Sequence, residues 1–169
     1  MTAHASPWSS PLALALAPAS DDDFEALLAL RLAAMHESLQ QLGRFDPRRA
    51  RERLSRAFEP AHTRHILQGD ERVGFVVLLP MRDHLLLDHL YIAPQAQGQG
   101  VGSWVMIQVL DEADRLGLAV RLTALKLSDA NRFYQRHGFE LQHASDWDLH
   151  YLRPARGDGG GDGGGSDGR

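Results

Sequence analysis

One short stretch carries most of the chemistry legible in this chain. Leu90-Tyr91-Ile92-Ala93-Pro94 reads as the end of a strand, and Gln97-Gly98-Gln99-Gly100-Val101-Gly102 leads from it into a helix. Alternating glycines at a helix entry aim successive backbone N–H groups at one point, where the helix dipole also favours negative charge. Glycine keeps side chains from standing between that backbone and an approaching phosphate. The ligand implied is a pyrophosphate or a similar polyanion; a glycine-rich helix entry with no ligand has the same spacing. Two familiar phosphate loops are excluded. No Gly-Lys-Ser/Thr follows, and Ser103 stands where the dinucleotide fingerprint needs its third glycine.

The elements that must position this loop follow from periodicity. Leu12 to Ala17 forms a short strand, and Ser20-Asp21-Asp22-Asp23 offers helix caps. Phe24, Leu27, Leu28, Leu32, Met35 and Leu39 then recur at helical spacing until Gly43. A second helix starts at Asp46-Pro47, with proline in a tolerated first position, and stops at Pro60. Strands are expected over residues 64–68, 73–79 and 84–93, with Gly74 marking a bulge or a close approach by another backbone. A helix over 100–116, a strand over 120–127, a short helix over 129–137 and strands over 139–143 and 148–152 complete the pattern.

Composition narrows the partners. The chain of 169 residues suits one domain, with residues 1–10 a flexible lead-in, 11–153 the domain, and 154–169 a Gly/Asp-rich tail too polar to fold. There is no cysteine, which excludes disulfides, thiolate metal sites and a cysteinyl acyl-enzyme. A formal net charge of −4 gives no basic excess for a nucleic-acid backbone. No stretch is long enough for a membrane span, and residues 12–17 make too short a core for a signal peptide, so a cytoplasmic location is expected. The nine histidines lack metal-ligand spacing, so no metal is expected. Residues 44–56 carry six arginines against Asp46 and Glu52. That run is either a solvated helix face or a site for an acceptor bearing a carboxylate or phosphate.

The loop resembles that of the GNAT superfamily of acyl-CoA-dependent N-acetyltransferases. Gln97-x-x-Gly100-x-Gly102 matches the family's Arg/Gln-x-x-Gly-x-Gly/Ala, and Leu90-Tyr91-Ile92-x-Pro94 is similar to the strand before it. Ala130-x-x-Phe133-Tyr134-x-x-x-Gly138-Phe139 is similar to the second motif. The likeness spans residues 12 to 153. It implies an α/β (α+β) fold: a mixed, mainly antiparallel twisted sheet of six to seven strands, flanked by about four helices, with two central parallel strands splayed apart.

The resemblance also implies roles. Backbone N–H groups of Gly98, Gln99, Gly100, Val101, Gly102 and Ser103 hold the pyrophosphate of acetyl-CoA, and Gln97 frames the loop. The pantetheine arm pairs with backbone along Leu90, Tyr91 and Ile92. The N–H of Ile92 polarises the thioester carbonyl, and Tyr134 is the general acid for the leaving thiolate. Ser128 and Asn131 are candidate cofactor contacts, since Ser128 stands where relatives often have asparagine. Many relatives carry a glutamate base where Leu86 stands here. Strand alternation puts Asp88 on the face of Leu86 and His89 opposite, so Asp88 is the candidate proton relay, directly or through water. The expected reaction is direct attack by the primary amine of a small molecule in a ternary complex, by a monomer or homodimer. The alternatives are a protein N-terminal or side-chain acetyltransferase and a non-catalytic acyl-CoA-binding module.

Overall fold

In a computed structural model, the structure describes residues 13–157 apart from Leu42 and Arg44, with Glu37 and Ser38 described by backbone alone. The expected lead-in, the start of the first strand at Leu12 and the tail beyond 157 lie outside the described residues. Strand β1 spans Leu14–Pro18. A short 3-10 turn at Asp21–Asp23 then feeds helix α1, Phe24–Gln41. Helix α2, Pro47–Ala57, is capped by Asp46, which accepts from the N–H groups of Arg48 at 3.0 Å and Arg49 at 3.3 Å. Ala50, Leu54 and Ala57 form its buried stripe.

Strands β2 (Thr63–Gln68), β3 (Glu71–Pro80) and β4 (His84–Ile92) form an antiparallel meander. Helix α3 (Val101–Leu116) crosses over to β5 (Ala119–Leu125), which lies parallel to β4. Helix α4 (Ala130–Arg136) leads to β6 (Glu140–Ala144) and β7 (Asp148–Arg153). The sheet has seven strands in the order β1-β2-β3-β4-β5-β7-β6, and only the β4–β5 pair is parallel.

Two apolar layers sandwich this sheet. On one face Leu27 and Leu28 of α1 and Ala50 and Leu54 of α2 pack on Phe75 and Val77 of β3. On the other, Val101, Val105, Met106, Val109 and Ala113 of α3 cover Val76, Leu85, Leu87, Val120 and Leu122. Phe133 and Tyr134 of α4 pack against this second layer. The sequence places every one of these elements. Boundaries shift by a residue or two: β3 starts at Glu71, not 73, and β5 ends at Leu125, not 127, because Ser128 N–H turns back to Leu125 O at 3.1 Å and leaves Leu127 73% exposed.

Gly74 proves to be both things its sequence position suggested. The β2–β3 register shifts beside it, between Ile66 and Leu67. A Cβ on Gly74 would also sit 2.4 Å from the Tyr91 carbonyl oxygen, so the β3 and β4 backbones meet where only glycine fits.

Candidate active site

The parallel pair is short. β4 and β5 are in register only over His84, Leu85 and Leu86 against Ala119, Val120 and Arg121. Beyond Leu86 the strands part, and the reason lies in β4. Val77 pairs with His89 but Leu78 pairs with Leu87, so Asp88 is an extra residue, a β-bulge. The bulge bends β4 away from β5 and opens a cleft of about 990 Å³. Leu87, Asp88, Leu90 and Ile92 line one side and Thr123, Ala124 and Leu125 the other.

The bulge also corrects one expectation. Leu79, the partner of Leu86, belongs to the α1/α2 face, as does Val77, the partner of His89. His89 therefore shares a face with Leu86 instead of opposing it, because the extra residue resets the alternation. Its ring lies 5.6 Å from Tyr91 and 6.2 Å from Phe75, centroid to centroid. Asp88 still lines the cleft. Its Oδ2 sits 3.0 Å from His89 Nε2, yet neither ring nitrogen has a partner in hydrogen-bond alignment. The contact is a close polar one. It holds the Asp88 carboxyl below its ordinary range, against the opposing effect of desolvation. Burial pushes His89 down, so the imidazole is neutral at pH 7.

The loop closes one end of the cleft. Pro94 starts a 3-10 turn, and buried Ala96 anchors it to the core. Gly98 at φ 76° and Gly100 at φ 81° adopt the left-handed conformation that side chains disfavour. That turn leaves the N–H groups of residues 98–103 with no acceptor among the described residues; Trp104 is the first to find one, donating to Gly100 O at 3.1 Å. Six consecutive donors without an intramolecular acceptor at the start of a 16-residue helix could take a polyanion. Gln97 braces the loop by donating from Nε2 to Ile92 O at 2.9 Å.

The same carbonyl reports the direction of the β4 edge. Ala93 N–H donates to Val73 O at 2.7 Å, toward β3. Strand alternation then turns the polar groups of Leu90 and Ile92 the other way, into the gap. Tyr134 lines the gap from α4, with Phe139 and Tyr151 around its ring at 5.8 and 6.3 Å. Its hydroxyl takes no hydrogen bond from any described residue, and burial pushes its pKa well above the ordinary tyrosine value.

Other candidates are used differently. The Asn131 amide is absorbed by the fold: Nδ2 donates to Leu125, Lys126 and Ser128 carbonyls at 2.8, 3.2 and 2.8 Å, and Oδ1 accepts from Tyr151 at 3.0 Å. Asn131 thus locks the β5–α4 junction and does not line the cleft. Ser128 lines it but accepts from Ala130 N–H at 3.2 Å as a local cap. Gln99 turns outward, donating to Gln95 O at 3.2 Å, and Ser103 Oγ lies 3.3 Å from His137 Nε2.

Sequence reading passed over Arg31. It is only 4% exposed, lines the cleft from α1, and stacks its guanidinium 5.6 Å from the Tyr91 ring. The signal was present: Leu27, Leu28 and Leu32 define the apolar stripe, and Arg31 falls within it.

A sheet whose one parallel pair splits at a bulge, with an amide loop closing the split, defines the N-acyltransferase fold of the GNAT type. Residues 61–141 match the family described as "Acetyltransferase (GNAT) domain". It is 33% identical over 91 residues to the aminoalkylphosphonate N-acetyltransferase of Salmonella typhimurium, a match covering 48% of this chain. The match spans a little over half of that relative, 58% of its length. Among solved structures, the fold is similar to PaiA N-acetyltransferase of Thermoplasma acidophilum in complex with coenzyme A. That likeness has TM-score 0.69 and 13% identity over 84% of this chain and 99% of that one. The ribosomal-protein-S18-alanine N-acetyltransferase of Escherichia coli is similar with TM-score 0.65 and 15% identity, over 88% and 98%.

Proposed function

We propose that the protein transfers the acetyl group of acetyl-CoA to the primary amine of a small molecule, by direct attack within a ternary complex. The observation that carries this reading is the row of six unpartnered amides, residues 98–103, at the mouth of the split between β4 and β5. These donors suit a diphosphate, and the gap edge of Leu90 and Ile92 suits an extended amide-bearing arm laid alongside β4.

The chain's groups divide the work. Ile92 N–H donates to the thioester oxygen as negative charge builds there. Asp88, held as an anion, attracts the ammonium and takes its proton, directly or through water. The neutral amine forms a C–N bond at the acyl carbon, the C–S bond breaks, Tyr134 gives its proton to the departing sulfur, and the proton that nitrogen sheds on becoming an amide restores the phenol through solvent. The products are an N-acetyl amide, coenzyme A thiol and one proton. A phenol raised by burial stays protonated at neutral pH and so remains a donor. An S-acyl intermediate on the protein is impossible without cysteine.

A small acceptor is favoured over a polypeptide because α1 and α2 wall the other end of the cleft with Arg31, Met35, Arg49 and Arg53. The curated relative named for aminoalkylphosphonate acetylation supports the same choice. The test is thiol release from acetyl-CoA with an amine panel, for wild type and Tyr134→Phe. The expected result is turnover that falls by roughly 10²–10⁴ in the variant while acetyl-CoA binding persists. Binding without turnover by any amine would reduce the protein to an acyl-CoA-binding module.

A further inference from the structure

The acceptor end of the cleft holds positive charge that the protein does not neutralise. Arg31 sits on the buried side of α1, four residues after Leu27 and three after Leu28, where helix periodicity calls for an apolar side chain. A guanidinium buried to this degree is costly unless partners meet it. Its Nε–H donates to the Tyr91 hydroxyl at 3.4 Å and its Nη1 to the Ala50 carbonyl at 3.0 Å. No carboxylate among the described residues forms an ion pair with it. A guanidinium has five N–H donors, so donors remain, and the side chain lines the cleft.

Arg49 and Arg53 of α2 line the same end, also without an ion pair among the described residues. Two acids near α1 and α2 are engaged elsewhere. Glu25 is held by Arg51 at 2.7 and 2.8 Å, and Asp46 caps α2. Asp88 feels the charge of both Arg53 and Arg31 but touches neither. Asp88 and these guanidinium groups thus line one cleft without pairing, and Asp46, Asp129 and Asp148 line it as well. Their complement is a molecule carrying an ammonium and an anion together.

We propose that Arg31 and Arg53 form an anion subsite, and that the acceptor amine bears a carboxylate or phosphonate on the same carbon skeleton. This rests on the acetyl-transfer reading above and names its substrate class. An acid group of that kind matches the planar donor fork of arginine. Binding there neutralises Arg31 and directs the amine toward Asp88 and the gap edge of β4. Arg31 and Arg53 select the acceptor and take no part in bond making.

The experiment compares kcat/KM by thiol release for three amines of matched chain length: a plain alkylamine, an amino-carboxylic acid and an aminoalkylphosphonic acid. Wild type is expected to favour at least one acidic amine over the neutral one by roughly tenfold to hundredfold, the worth of one charge-assisted contact. The better acidic arm tells carboxylate from phosphonate. Arg53→Met and Arg31→Met should each erase most of that ratio, chiefly through KM of the acidic amine, and Arg31→Lys should restore part of it. Arg53 is exposed, so its variant keeps the test decisive if Arg31→Met fails to fold. Equal use of acidic and neutral amines by wild type, or an acid preference that survives in Arg53→Met and in folded Arg31→Met, overturns the subsite while acetyl transfer stands. No thiol release with any amine overturns the transferase reading itself, and this inference with it.

Discussion

Replacing Gly102 with alanine separates what the loop does for the fold from what it does for a ligand. Gly102 lies in the first turn of α3, with φ outside the left-handed region. A Cβ there would meet only the Phe133 ring, at 3.5 and 3.7 Å, which is ordinary van der Waals contact. The folded chain therefore has no steric reason for glycine. In a helix, alanine is favoured over glycine by roughly 0.5–1 kcal/mol. A gain of that size moves Tm up by about 1–4 °C in a domain of this length. On the ligand side the sign reverses. A phosphate gripped by the amides of residues 98–103 would be crowded by a methyl on Gly102, one of those residues. Losing one charge-assisted hydrogen bond costs about 1.5–3 kcal/mol, or roughly tenfold to hundredfold in Kd. Thermal unfolding and calorimetry with acetyl-CoA on the same sample read both effects. The prediction is an unchanged or higher Tm together with weaker binding. A variant that is more stable and binds acetyl-CoA as wild type does would refute the assignment of these amides to the ligand.

Other perturbations follow from the same geometry. Asp88→Asn should lower kcat/KM for the amine and remove an acid limb from the pH–rate profile. Wild type keeps that limb below the ordinary carboxylate range, because the His89 contact holds the group down; an identical profile in the variant would end the relay role. Gly74→Ala forces a methyl against Tyr91 O, 2.4 Å away, and should cost about 1–3 kcal/mol in urea unfolding; a neutral result would mean that β3 and β4 can move apart there. Asp23 accepts from His65 Nε2 at 2.9 Å, Ser20 N–H at 2.8 Å and Arg72 at 3.1 Å, and the His65 bond foremost depresses its pKa. A folded pKa below the unfolded one gives stability that is present above the unfolded carboxylate pKa near 4 and lost as pH falls below it. Asp23→Asn should flatten the acid side of the stability–pH curve; a curve of unchanged steepness would show that other carboxylates dominate acid unfolding.

The loop, the helices and the succession of strands along the chain are legible because each rests on local rules. Glycine spacing marks the amide cradle, Pro47 and Gly117 mark helix ends, and the apolar periods mark the layers. What stayed hidden depends on register and on contacts across the chain. Nothing in His84–Ile92 announces that Asp88 is an extra residue, since the bulge exists only relative to β3. Strict alternation therefore put His89 on the wrong face. Asn131 is a candidate cofactor contact by its place in the motif, but its amide is consumed by Tyr151 and three carbonyls brought together by tertiary folding. Arg31 was within reach, since a charge interrupting an apolar stripe asks what meets it. The sequence marks that interruption but not the cleft beside it.

The most direct test is a two-dimensional amide NMR titration of the full chain with coenzyme A. The account predicts that the N–H signals of Gly98, Gln99, Gly100, Val101, Gly102 and Ser103 shift most, together with those of Leu90 and Ile92 along the open edge of β4. Large shifts confined to other parts of the chain, or none at saturating ligand, would contradict it.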